Sequence, residues 1–369
     1  MSYIHERAGW PGLTWNSEAL VHQLAAVRHK QGRLLGRMES LGFDVRNEAN
    51  LVVLTAEVVK SSAIEGETLD SAEVRSSIAR RIGLDTAGLP RPGRDVEGVV
   101  EMMLDATQNH AEALTADRLF GWHSALFPTG RSGMSRIAVG QWRPEEAGPM
   151  QVVSGPIGRE RVHFLAPCAD RLAGEMDAFL DWFNGSDKID PVLTAGVAHL
   201  WFVTIHPFED GNGRIARAIA DCALARADGV PQRYYSMSSQ IEAERKDYYK
   251  ELERAQRGGL DVTTWLGWFL GCLDRAIETS DERLAEVLHK ARLWERINPI
   301  GVNDRQRKVI NRMLDGFEGF LTTSKYAKLA KCSQDTALRD IRELVEHGVL
   351  IQNPGGGRST SYRLVAPED

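Results

Sequence analysis

The 369-residue chain is predicted to be mainly α-helical, on three observations. Apolar residues recur at helical spacing over most of its length. Before residue 300 only one stretch, Met150 to Phe164, alternates as paired strands do. The last segment, Asp304 to Leu364, runs helix, short helix, helix and glycine-rich hairpin, the outline of a winged helix-turn-helix. With 43% apolar and 26% charged residues, the composition is that of a folded globular chain long enough for two or three domains. A net charge of −6 excludes chain-wide attraction to nucleic acid or an anionic membrane. Cys168, Cys222, Cys272 and Cys332 are scattered without a C-x-x-C pair, which argues against a disulfide framework or a zinc site. The opening MSYIHERAGWPG lacks the charged-then-apolar pattern of a signal peptide. The longest apolar run, Val192 to Ile205, is too short to span a bilayer and contains His199. The expected location is cytoplasmic.

In chain order, residues 1–93 read as a helical region, with Leu20, Leu24 and Val27, then Leu51, Leu54, Val58 and Val59 at helical spacing. The breaker cluster Gly88-Leu89-Pro90-Arg91-Pro92-Gly93 marks its end. Residues 94–280 read as a helical core interrupted only by the hairpin, whose strands are expected at Gln151–Val153 and Arg161–Phe164. A charged connecting helix follows over 281–303, broken near Pro299 and Gly301, and the winged helix is expected over 304–369. There its second helix should start after Ser333 as N-cap and run through Leu338, Ile341 and Leu344 to Gly348. Val349-Leu350-Ile351 and Tyr362-Arg363-Leu364 would flank Gly355-Gly356-Gly357 as the wing. No internal repeat or low-complexity tract is present.

The densest chemistry lies in residues 206–217, His-Pro-Phe-Glu-Asp-Gly-Asn-Gly-Arg-Ile-Ala-Arg. The apolar run after it, Ile215 to Leu224, ends at Gly229 as a helix with a glycine C-cap. Gly211 and Gly213 therefore sit at a helix N-terminus, where free N–H groups and the macrodipole favour an anion. Arg214 and Arg217, three apart, share a face and can hold one polyanion. Asp210 can hold a hard cation such as magnesium against phosphate oxygens, and His206 can accept a proton from an attacking hydroxyl. Together these are the parts that phosphoryl or nucleotidyl transfer requires. Gly211-Asn212-Gly213 with Ala216 also fits a dinucleotide-binding G-x-G-x-x-A. A helix precedes it, however, and no acid stands about twenty residues on, where Val230, Pro231 and Gln232 fall. No phosphate-loop G-x-x-x-x-G-K-[ST] occurs in the chain.

Position for position, the string resembles the HxFx(D/E)GNGRxxR signature of the Fic family. That resemblance implies a helical Fic core with a β-hairpin flap, and transfer of AMP from ATP to a protein hydroxyl. By resemblance His206 is the base and Asp210 the magnesium ligand. Gly211, Asn212 and Gly213 form the anion hole, and Arg214 and Arg217 hold the ATP phosphates. Gln151, Val152 and Val153 align with the flap, whose backbone would pair with a strand of the target protein. Gly140-Gln141-Trp142-Arg143 also resembles the family. Tyr248 and Gln256 fall where the family contacts adenosine, and an aromatic face against a base is physically sensible. Ser61-Ser62-Ala63-Ile64-Glu65-Gly66 resembles the S-x-x-x-E-G motif of Fic proteins that carry their own N-terminal brake. Glu65 would then hold Arg217, so that ATP binds in a pose unfit for attack. The opening SYIHERAGWPGLTW resembles the N-terminal region of a subset of these proteins. His163 and His199 are expected to be satisfied core or surface histidines.

Two other readings remain open at the level of sequence. One is a DNA-binding regulator whose core senses a nucleotide. Its recognition helix, Gln334 to His347, carries Arg339 and Arg342 against Asp335, Asp340, Glu343 and Glu346, only partly offset by Arg358 and Arg363, a poor match for phosphates. Protein contact or a homodimer is the better expectation there. The other is removal of AMP from a modified protein, with Glu65 activating a water.

Overall fold

A computed structural model describes residues 2–84, 89–155, 159, 161–186, 188–314, 317, 319–354 and 360–365. Helices α1 (Ser17–Glu39), α2 (Phe43–Ile64) and α3 (Ser71–Arg81) form the N-terminal region. Asn16 caps α1 by accepting from Ala19 N–H, and Asp70 caps α3 by accepting from the N–H groups of Ala72 and Glu73. Of the expected breaker cluster, Gly88 lies outside the described residues. Gly93 serves as N-cap of α4 (Arg94–Gln108), which leads to α5 (Ala116–Leu126).

Next comes a feature that sequence reading missed, a short hairpin of β1 (Arg131–Ser132) and β2 (Ser135–Arg136). Its segment, Arg-Ser-Gly-Met-Ser-Arg, has no apolar alternation, and only Gly133, at φ +53°, signals the turn. The expected hairpin is β3 (Gln151–Ser154) against β4 (Arg161–Leu165), with a register shift between Val152 and Val153. Residues 156–158 and 160 of its turn lie outside the described residues. Then follow α6 (Leu172–Asn184), α7 (Pro191–Ile205), α8 (Asn212–Asp228), α9 (Met237–Ala243), α10 (Arg245–Gln256) and α11 (Thr263–Ile297). The charged segment after residue 280 is not a separate helix but the continuation of α11. No glycine or proline interrupts residues 272–298, so the helix runs on to a 3₁₀ turn at Asn298–Ile300 and Gly301.

The chain divides into two units, residues 1–284 and 285–369. In the first, α7 is buried from Val192 to Ile205 on every side, which is why its sequence is apolar all round. Packing against α7 places α8, and α2 lies beside α8 and α9. A buried polar network fixes that arrangement. Glu57 of α2 accepts from Ser236 Oγ (2.7 Å) and Ser238 N–H (3.0 Å). Arg233 bridges Asp221 of α8 and Asp228, each at 2.9 Å, and burial raises the pKa of both acids. Arg233→Ala should therefore destabilise the first unit by about 3–5 kcal/mol, because two buried carboxylates lose their cation. Denaturant titration reads this directly, and an unchanged midpoint would contradict it.

In the second unit, α12 (Asp304–Leu314), α13 (Thr323–Ala330) and α14 (Gln334–Glu346) precede β5 (Leu350–Gln352) and β6 (Tyr362–Leu364), which pair antiparallel. Ser333 caps α14 by accepting from Thr336 N–H. Val309, Ile310, Tyr326, Ala337, Ile341 and Leu344 form its core. Gly355, Gly356, Gly357 and Arg358 of the expected wing lie outside the described residues.

Candidate active site

His206 ends α7 in the left-handed region, φ 52° and ψ 59°. A non-glycine residue rarely adopts this conformation, and it is tolerated where surrounding contacts over-determine it. Arg143 supplies two of those contacts, donating from Nε to the His206 carbonyl (2.9 Å) and from its backbone N–H to that of Pro207 (2.8 Å). The imidazole contacts the Val203 carbonyl through Nδ1 at 3.2 Å, which leaves Nε2 for a substrate proton. Burial, helped by the Arg143 guanidinium, holds its pKa down at about 4. His206 is thus neutral, the form a general base needs, throughout the physiological range.

The following turn is locked by Asn212, whose side chain accepts from Phe208 N–H (3.0 Å) and donates to the Phe208 carbonyl (2.8 Å). With its side chain engaged, Asn212 has only its backbone N–H left to offer an anion. Gly211 caps α8 at φ 82°, and the first helical hydrogen bond of α8 runs from Ile215 N–H to Gly211. The N–H groups of Asn212, Gly213 and Arg214 precede that ladder, making an anion nest at the positive end of the helix dipole. Asp210 accepts from Gly211 N–H at 2.6 Å and from the hydroxyl of Ser132, on the hairpin missed in the sequence.

Both arginines are buried, Arg214 at 3% and Arg217 at 2% exposure. Arg217 Nη2 pairs with Glu65 Oε1 at 2.8 Å and donates to the Ser61 carbonyl at 2.8 Å, while Nε donates to Ser61 Oγ at 2.9 Å. Burial opposes the guanidinium charge, but Glu65 overcomes it and raises the pKa of Arg217 above the ordinary value. Ser61, Glu65 and Gly66, a candidate set on sequence grounds, thus converge on one end of α2. Gly66, at φ +86°, reverses the chain there. Its N–H donates to the Ala63 carbonyl, and the N–H of Glu67 to that of Ser62, the bond pattern of a Schellman cap. A Cβ at Gly213 would stand 2.0 Å from Glu65 Oε1, so a side chain there would displace that carboxylate. The carboxylate of Glu65 accordingly lies over the N-terminus of α8, where an anion is favoured.

Val152 and Val153 lie in β3, which among the described residues pairs only with β4. Its other edge is left for a further strand, and Val153 and Val162 are exposed. Arg143 also donates to the Pro167 carbonyl just after β4, so one buried guanidinium ties the base of the hairpin to the His206 turn. His163 bridges Ser154 (2.6 Å) and Glu253 (2.8 Å).

Tyr248 and Gln256, expected to contact adenosine, are both buried. Tyr248 is 2% exposed, bonded to His199 Nε2 at 2.9 Å and packed among Trp265 and Trp268. Gln256 is 4% exposed and donates to the Val203 carbonyl at 3.3 Å. Eight positions apart, they share the face of α10 that turns inward. Of the tyrosine pair it is Tyr249 that stays exposed, with its hydroxyl 3.3 Å from the Ile64 carbonyl at the end of α2.

A Fic/DOC family model matches residues 113–224, a span that includes the His206–Arg217 motif. A second model, a domain of unknown function (DUF4172), matches residues 3–84, which include Glu65. A Caenorhabditis briggsae protein adenylyltransferase fic-1 is 28% identical over 273 residues, 70% of this chain and 49% of that protein. The Nematostella vectensis protein adenylyltransferase Fic is 26% identical over 232 residues, 60% of this chain and 47% of that protein. The chain thus spans about half the length of the curated relatives it matches. A Fic family protein from Desulfovibrio desulfuricans shares the fold at a TM-score of 0.56 and 23% identity, covering 96% of this chain and 98% of that one.

Proposed function

We propose that the chain is a protein adenylyltransferase that moves AMP from ATP to a hydroxyl of a target protein, or to its own chain, and is restrained by Glu65. The observation that carries this reading is the convergence of a neutral His206, an anion nest and two buried arginines, one held by Glu65 at 2.8 Å. The target hydroxyl attacks the α-phosphorus, a new P–O bond forms as the bond to pyrophosphate breaks, and His206 takes the hydroxyl proton. The N–H groups at the start of α8 and the two guanidinium groups stabilise the phosphate oxygens. Backbone pairing along β3, near Gln151–Val153, positions the target chain.

Asp210 would hold magnesium. Its carboxylate, which accepts from the Ser132 hydroxyl, is a hard-oxygen donor suited to an ion that keeps several waters and shares phosphate oxygens. Bound there, magnesium neutralises phosphate charge. Asp210→Ala should raise the magnesium concentration for half-maximal transfer by at least roughly tenfold, whereas Ser132→Ala, which keeps the carboxylate, should retain the wild-type response. Superimposable magnesium titrations for Asp210→Ala and wild type would reduce Asp210 to a turn-shaping residue.

For the unit of residues 285–369 we favour contact with protein, including a second copy of this chain, over DNA. Asp340 is buried and paired with Arg305 at 2.9 Å. The exposed face of α14 then presents Arg339 and Arg342 against Asp335, Glu343 and Glu346, which suits a phosphate backbone poorly. Salt-sensitive binding of duplex DNA in a gel-shift titration would overturn this preference. Among the described residues no helix is long and apolar enough to cross a membrane.

A further inference from the structure

We infer that Glu67 is a second stop, holding Arg214 as Glu65 holds Arg217, and that it sets the affinity of the site for the phosphates of its nucleotide. The inference rests on the adenylyltransferase reading above and deepens its regulation. Arg214 Nη1 meets Glu67 Oε2 at 2.5 Å, with the guanidinium 3% exposed and the Glu67 side chain 46% exposed. The same chain reversal at Gly66 delivers both acids, since Glu65 precedes it, Glu67 follows it, and the Glu67 N–H is fixed to Ser62 at 3.1 Å. Each carboxylate takes one arginine, and neither arginine is fully satisfied. Arg214 Nε and Arg217 Nη1 are buried without a hydrogen-bond partner, which leaves donors for phosphate oxygens.

The Glu67 carboxylate is the more exposed of the two, 46% against 32% for Glu65. Burial raises the pKa of its carboxyl against the pull of Arg214, and the nearby Asp210, Glu65 and Asp95 raise it further. Phosphate oxygens, which make bidentate charge-assisted contacts with arginine, can therefore compete for Arg214. Removing Glu65 alone frees Arg217 but leaves Arg214 engaged, so a Glu65→Gly chain would still bind nucleotide below its full affinity.

The test is calorimetric titration of the full chain with ADP, which lacks the pyrophosphate leaving group, without magnesium or acceptor, in Glu65→Gly and in Glu65→Gly/Glu67→Gln. The expected result is ADP affinity tighter by about three- to tenfold in the double variant, a size discounted for the exposure of Glu67. Adenosine affinity should be unchanged, and with ATP the KM should fall while kcat stays within about twofold. Placed in an Arg214→Ala background, Glu67→Gln should have no effect, and Glu67→Asp should restore part of the restraint. Equal ADP affinity in the two variants, or adenosine binding tightened as much as ADP, would overturn the role of Glu67 while leaving the adenylyltransferase reading in place. Absence of ADP and ATP binding in every variant would overturn both.

Discussion

His206→Ala should lower transfer by about 10² to 10⁴-fold, the range for removal of a general base, while nucleotide affinity should stay close to that of the parent. The side chain makes one ring contact, at 3.2 Å to Val203, and the turn around it is fixed by Arg143 and Asn212 through backbone groups. The fold thus does not depend on the imidazole. The pH profile adds a second signature. Because the pKa of His206 is lowered to about 4, the base is present above that pH and lost as pH falls through it. The acid limb of kcat/KM should accordingly lie near pH 4, well below the ordinary histidine value of about 6.5. A variant that labels at the parental rate, or an acid limb near the ordinary value, would remove His206 from the role of base.

Glu65→Gly should raise transfer by roughly one to two orders of magnitude. A charge-assisted pair with one fully buried partner contributes about 1.5–3 kcal/mol, and each 1.4 kcal/mol is about tenfold in an equilibrium. Glu65 is partly exposed, so the lower half of that range is the better expectation. Two consequences separate release of Arg217 from a general loosening of α2. Adding Arg217→Ala should return the rate to a low level, and Ser61→Ala, which removes one of the three contacts to Arg217, should activate far less than Glu65→Gly. Faster loss of AMP from a pre-labelled target in wild type than in Glu65→Gly would instead make Glu65 a hydrolytic residue.

Much of this site was legible because its signals are local. The His206–Arg217 string carries its turn, its helix start and its charges in consecutive positions, and the buried run of α7 declares itself by being apolar on every side. Ser61, Glu65 and Gly66 were singled out because their spacing resembles a motif of the Fic family. What escaped depends on which way a residue faces once helices pack. Tyr248 and Tyr249 are equivalent as sequence, and only the contacts with Trp265 and Trp268 decide that Tyr248 is the inner one. Ser132 reaches Asp210 from a hairpin without apolar alternation, and Arg143 acts through carbonyls that no sequence pattern marks. Glu67 lay closest to being readable. A glycine obliged to reverse the chain between two glutamates brings both to one side, and two arginines three apart on the facing helix were already in view.

The central claim is that the Glu65–Arg217 pair holds back an otherwise complete adenylyltransferase. Intact mass spectrometry of wild type, Glu65→Gly and Glu65→Gly/His206→Ala, each incubated with a hydroxyl acceptor, ATP and magnesium, tests it most directly. The account predicts an added AMP on the Glu65→Gly chain or its acceptor, little on wild type, and none with His206 removed. Equal labelling of wild type and Glu65→Gly, or no AMP adduct in any of the three, would contradict it.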